Sequence, residues 1–162
     1  MTKQTDKNIW LYMLRFALVY AAAYIAASML FINLQSLLPE SSRVALDFFE
    51  PYRFELATHI AQLLLGALLA LVLYPFYDLI VKGKNGFKII LCALWGVALL
   101  GNLEPKPGSI EGMIYTTTTF SEHLLVLLIG ALQVAFFAWV FLRWEKAASS
   151  KSSAVLASKG GR

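Results

Sequence analysis

"IILCALWGVALLGNL", residues 89–103, decides how many times this chain crosses a membrane. It is an uncharged run of 15 residues between Lys88 and Glu104. A helix that crosses ~30 Å of hydrocarbon needs roughly 20 apolar residues, so the run alone reads equally as a re-entrant or interfacial piece. Its neighbours are unambiguous: runs of 24, 22 and 20 uncharged residues separate Arg15 from Glu40, Glu55 from Asp78, and Glu122 from Arg143. Charge placement favours a fourth span. With four crossings, Lys3, Lys7, Arg15, Lys82, Lys84, Lys88, Arg143, Lys146, Lys151, Lys159 and Arg162 share one side, 11 of the 14 basic residues. Only Arg43, Arg53 and Lys106 fall on the other side, whereas three crossings would translocate the basic tail. The positive-inside rule then places both termini in the cytoplasm. Phe87 and a snorkelling Lys88 lengthen the short helix toward that face.

The expected fold is therefore an all-α integral membrane protein, four transmembrane helices in an antiparallel bundle. The spans cover about 10–34, 54–77, 87–103 and 120–143, within a single domain at about 1–146. Composition agrees: 59% of the 162 residues are hydrophobic and 15% charged, with a mean hydropathy of +0.65. A soluble domain is closer to half apolar and a quarter charged. Trp10, Tyr12, Tyr52, Phe54, Tyr74, Tyr77, Tyr115, Phe120 and Trp144 mark the span boundaries as interfacial aromatics do. "KNGFK", Lys84 to Lys88, is an Asn-Gly reversal, which predicts helices 2 and 3 as antiparallel neighbours. From Ala147 to Arg162 the chain is Ser, Ala, Lys and Gly with little to bury, and reads as a flexible basic cytoplasmic tail. In the first outer loop, "SSRVALDFFEPY" puts Val44 with Phe48 and Ala45 with Phe49 at helical spacing. A short interfacial helix is expected there, Asp47 and Glu50 facing water and Pro51 opening the next helix.

The lysines and the small-residue run "AAAYIAASM" near the N-terminus are reminiscent of a secretory signal, but the apolar run continues through Ile32. That is too long for a signal core, so the first helix is read as retained. The pI of about 9.2 comes from membrane-rim and tail lysines and arginines. Such residues meet anionic headgroups rather than nucleic acid. Cys92 is the single cysteine, so no intramolecular disulfide exists.

Polar residues inside the spans are few. At ~100° per residue, Glu55, His59, Gln62, Gly66 and Ala70 share one stripe of helix 2. Glu122, Val126, Ile129 and Gln133 share one on helix 4; Arg15, Val19, Ala22, Ala26 and Asn33 share one on helix 1. Polar groups and small residues on a common stripe mark faces that pack against other helices. Arg15 is expected to pair with Asp78 or Glu145. His59 and His123 lie toward the outer ends of their helices, and Glu55, Glu104, Glu111 and Glu122 lie at similar depth. That cluster admits a divalent metal or 2-His/carboxylate centre at Glu55, His59, Glu122 and His123, or a haem between His59 and His123. The plainer reading is structural. "TFSE", Thr119 to Glu122, has capping-box spacing, and Glu122 suits the positive end of the helix dipole. Arg15, Gln62, Thr119, Glu122 and Gln133 are then structural polar residues and no cofactor is required. Gly108 and Gly112 in "EPKPGSIEGM" permit tight bends, so the outer loop looks shaped. The four threonines 116–119 lack the glycine-aromatic pattern of an ion filter.

No Ser/His/Asp or Cys/His set, CxxC, phosphate loop or mid-membrane carboxylate pair is present, which argues against an enzyme. The function expected is a non-enzymatic membrane subunit or self-assembling interaction protein. Its partners are the lipid bilayer and either itself, as a homo-oligomer, or a larger complex, and its location is the bacterial inner membrane. The alternatives are an oligomeric channel or small transporter, and a haem- or metal-binding redox protein using His59 and His123.

Overall fold

The computed structural model describes residues 8–37, 56–100 and 106–159, with side chains described no further than residue 150. The surface helix expected at 39–53 lies outside these residues, as do Glu55 and Glu104. Among the described residues every regular element is helical. Helix α1 (Ile9–Gln35) starts at Asn8, whose Oδ1 accepts the N–H groups of Trp10 and Leu11 at 3.1 and 3.4 Å. Those are two of the donors a helix start leaves without partners. At its other end Asn33 Nδ2 donates to the Met29 carbonyl at 2.7 Å, and Ser36 Oγ to that of Asn33 at 2.6 Å.

Helix α2 (Leu56–Leu73) stops where Pro75 removes a backbone donor and its ring crowds the carbonyl four residues back. The chain first tightens into a 3₁₀ turn at Tyr74–Phe76 and then widens into a π turn at Asp78–Lys82. After the reversal at Lys84 and Asn85 comes α3 (Gly86–Leu100), then the short α4 (Ile110–Tyr115) and finally α5 (Phe120–Lys159). At 40 residues α5 is about 60 Å long. It continues through the segment from Ala147 that carries no burial pattern. Ala147, Ala148, Ala154, Leu156 and Ala157 are good helix formers, and no glycine or proline intervenes before Gly160.

Three helices are long and apolar enough to cross a membrane: Ile9–Leu34, Leu56–Phe76 and Phe120–Ser150. Their outward side chains, such as Leu64, Leu68, Val72, Leu128 and Leu132, are more than half exposed. In water such faces would be a severe liability; in hydrocarbon they are the expected surface. Helix α3, with 15 residues, is about 22 Å long and shorter than a full crossing.

The order of packing is α2, α1, α5, α3, with α1 between α2 and α5 and with α3 against the other side of α5. Helices α2 and α3, expected as neighbours because a tight turn joins them, share no comparable interface. The π turn accounts for this, because it directs Ile80 and Val81 into the core and α3 leaves it to lie along α5. The core is aromatic. Phe16 meets Phe137 and Phe141 edge-on at 4.7 and 4.9 Å, Phe137 stacks on Phe141 at 5.6 Å, and Tyr12 meets Phe141 and Tyr77 at 5.6 and 5.3 Å. Each such pair contributes about 0.5–1.5 kcal/mol beyond burial.

That aromatic cluster sets the inward face of α1, whose buried residues are Tyr12, Phe16, Ala17, Val19, Ala23 and Ala27. Of the stripe expected from small and polar residues, Val19 is buried and Arg15 pairs with Glu145, while Ala22, Ala26 and Asn33 are exposed. Ring volume at Tyr12 and Phe16 outweighs the small-residue pattern. On α2 the buried residues are Gly66 and Ala70. A Cβ at Gly66 would lie 2.9 Å from the Ala17 Cα and 3.2 Å from Tyr20 Cβ, so only glycine lets the α1 and α2 backbones approach this closely.

Candidate functional site

Polar side chains gather at two places about 33 Å apart along α5, around His123 and around Glu145. The Glu145 assembly ties three helical segments together. Arg15 of α1 donates from Nε to Glu145 Oε2 at 2.7 Å and from Nη2 to Oε1 at 3.2 Å. Tyr77, just before the π turn, donates its hydroxyl to Oε1 at 2.8 Å. Glu145 is 3% exposed and Arg15 19%. The fork of the guanidinium matches both carboxylate oxygens, the geometry in which a desolvated ion pair is strongest. Of the two acids within reach of Arg15 in sequence terms, Asp78 instead carries an exposed bridge to Lys82 at 3.1 Å. The Tyr12 hydroxyl is buried in the adjoining aromatic cluster with no hydrogen-bond partner among the described residues.

The second assembly is built on the loop before α5. Gly108 sits at φ +85°, a left-handed conformation, and a Cβ there would press on Val126 Cγ1 at 2.7 Å. Glycine thus lets the loop turn sharply while resting on α5. Ser109 caps α4, its Oγ accepting the Gly112 N–H at 2.9 Å and donating to the Lys106 carbonyl at 2.8 Å. Thr116 Oγ1 donates to the Gly112 carbonyl at 2.7 Å and lies 2.9 Å from Thr118 Oγ1. His123, 3% exposed, closes the assembly. Its Nδ1 accepts the Gly108 N–H at 2.8 Å, and its Nε2 lies 3.4 Å from Thr116 Oγ1.

A backbone N–H is only a donor, so Nδ1 must present its lone pair and the ring proton resides on Nε2. A metal or haem bond at either nitrogen would require that arrangement to break. Glu122, on the same turn, accepts from both the N–H and the hydroxyl of Thr119 through Oε2, at 2.6 and 2.8 Å. This is half of a capping box: the carboxylate reaches back as expected, but the Thr119 hydroxyl turns to Glu122 instead of capping a helix amide. The other oxygen, Oε1, is buried without a hydrogen-bond partner among the described residues.

The remaining candidates are dispersed. His59 and Gln62 are half-buried in the early turns of α2, the Gln62 Oε1 atom buried without a hydrogen-bond partner among the described residues; Gln133 is half-buried in mid-α5. No group of three or more His, Cys, Asp or Glu side chains suited to a metal ion occurs among the described residues. Cys92 is exposed. The sequence marks Tyr77 as a boundary aromatic and Thr116 as one of a threonine run, and assigns a hydrogen-bonding role to neither of them nor to Ser109. Ser109 carries a local signal, a capping residue after a glycine, and Thr116 bonds only within seven residues of itself, whereas Tyr77 acts through a contact 68 residues away. No family model matches the chain, and comparisons with curated proteins and with solved structures return no match.

Proposed function

We propose that this chain is a four-span, non-enzymatic membrane subunit that assembles with further copies of itself or within a larger complex. It sits in the bacterial inner membrane, with α3 extended by flanking residues to complete an antiparallel bundle and with both termini in the cytoplasm. The observation that carries this reading is how the ionisable groups within the helices are used. Arg15 and Glu145 hold α1 to α5, Glu122 holds the start of α5, and His123 holds the outer loop. Each of these four side chains is engaged in a structural contact, between elements or at a helix start, and that use supports a structural role for them. The outward small residues Ala22 and Ala26 support assembly, since they allow another helix to approach closely.

Detergent-purified protein tests this reading through native mass, metal analysis and an absorption spectrum, followed by ion flux in liposomes. A complex above monomer mass without flux, haem or stoichiometric metal is expected. Flux through the reconstituted protein would favour the channel reading. One metal or haem per chain, lost on His59→Ala, would replace the proposal with the redox one.

A further inference from the structure

The geometry points to a pH-released latch: His123 holds the loop of residues 106–116 on α5 only while its ring is neutral. The bond that matters joins residues 15 apart in sequence, from the Gly108 N–H to His123 Nδ1 at 2.8 Å. A neutral imidazole with its proton on Nε2 accepts at Nδ1, whereas an imidazolium carries a proton on both nitrogens and accepts at neither. Protonation therefore turns this contact from donor-to-acceptor into donor-against-donor. The loop has no local means of absorbing the change. Gly108 is pinned at φ +85° with its Cα side against Val126, and Ser109 and Gly112 are committed to the α4 cap. On the Nε2 side protonation leaves the contact unchanged, because that nitrogen faces the Thr116 hydroxyl as a donor in either state. The response is thus confined to the Gly108 end, and the predicted motion is departure of 106–109 from Val126.

The charged groups around the ring come from each element packed there. Glu122 is its neighbour on the same turn of α5. Lys106 and Glu111 belong to the loop and α4, while His59 lies toward the corresponding end of α2. The half of α3 nearest that end, residues 94–100, carries no ionisable group. Histidine is the side chain among these whose ordinary titration falls between about pH 5 and 8. Loop release would uncover Pro107, Ser109 and the side of α5 at Val126, making the outer surface of the protein differ between neutral and acidic surroundings. The inference rests on the hydrogen-bond geometry and is independent of whether the chain acts as a subunit.

Amide hydrogen exchange of the full chain in detergent micelles, at about pH 7.5 and about pH 5 and corrected for intrinsic rates, tests it. His123→Asn supplies the decisive comparison, since the Asn carbonyl oxygen can replace Nδ1 as acceptor and does not titrate. In the unaltered protein the 106–116 peptide should lose about tenfold protection on acidification, the equivalent of one net hydrogen bond. Peptides of α1 should stay unchanged. His123→Asn should hold the loop at both pH values, and His123→Ala should leave it unprotected at both. Equal protection of the unaltered protein at the two pH values overturns the proposal. So does a His123→Asn protein that loses protection as the unaltered one does, because a group other than His123 would then be responsible.

Discussion

Replacing Arg15 with methionine tests the packing of α1 on α5 most directly. The substitution keeps most of the side-chain volume and removes the charge that faces Glu145 at 2.7 Å. Glu145 is 3% exposed, and after the change the Tyr77 hydroxyl, a neutral donor at 2.8 Å, is left to bond a charge with no counterion among the described residues. Stranding one member of a buried ion pair costs about 3–5 kcal/mol, a shift of more than about a hundredfold in the folding equilibrium. Glu145→Met strands the guanidinium instead. Arg15 at 19% exposure retains some access to solvent or headgroups, so its cost should lie at or below the lower end of that range. Tyr77→Phe removes one hydrogen bond to a charged acceptor and should cost about 1.5–3 kcal/mol.

The double substitution Arg15→Met with Glu145→Met decides between a buried pair and a solvated one. With both charges gone, the principal new loss is the Tyr77 hydroxyl's partner, about 1–3 kcal/mol. The double variant should therefore be more stable than Arg15→Met alone. Reversible unfolding in mixed micelles by increasing sodium dodecyl sulfate, followed by far-ultraviolet circular dichroism, gives all four free energies. Additive losses below about 1 kcal/mol per residue, the behaviour of exposed pairs, would refute the reasoning and the register of α1 on α5 with it.

Three further outcomes follow from the same structure. In a Cys92→Ser background, a cysteine at the exposed Ser121 should react with an impermeant thiol reagent from outside the cell and one at Ser150 should not; the opposite labelling would invert the topology. Gly66→Val places a Cβ 2.9 Å from the Ala17 backbone and should destabilise by about 1–3 kcal/mol in the same unfolding assay, while Gly96→Ala, with open space around its Cβ, should change little. Replacing Ala22 and Ala26 with leucine should reduce the native mass of the assembly yet leave membrane insertion intact; an unchanged mass would remove the support these residues give to self-association.

The three long helices were legible because a bilayer asks for length without charge, and that is a property of composition alone. Helix facing is a different matter. In water, a helix shows its buried side by contrast with a polar one; in lipid both sides are apolar, and the contrast disappears. On α1 the sequence points to the small-residue stripe, and it is the fit of Phe16 against Phe137 and Phe141 that turns a neighbouring face inward. The same logic explains what could be read of the polar sites. Arg15 was conspicuous because a charge inside a span needs a partner, but choosing Glu145 over Asp78 depends on the π turn that places Asp78 beside Lys82. Pro75 signals a break there without stating that the following turn widens. Capping by Glu122 was readable because Thr119 is three residues away. The His123 bond to Gly108 was not, because it forms only when the left-handed turn at Gly108 and the first turn of α5 meet. A histidine at a helix start and a glycine in a loop are each ordinary; their chemistry lies in one nitrogen having to remain an acceptor for the loop to stay in place.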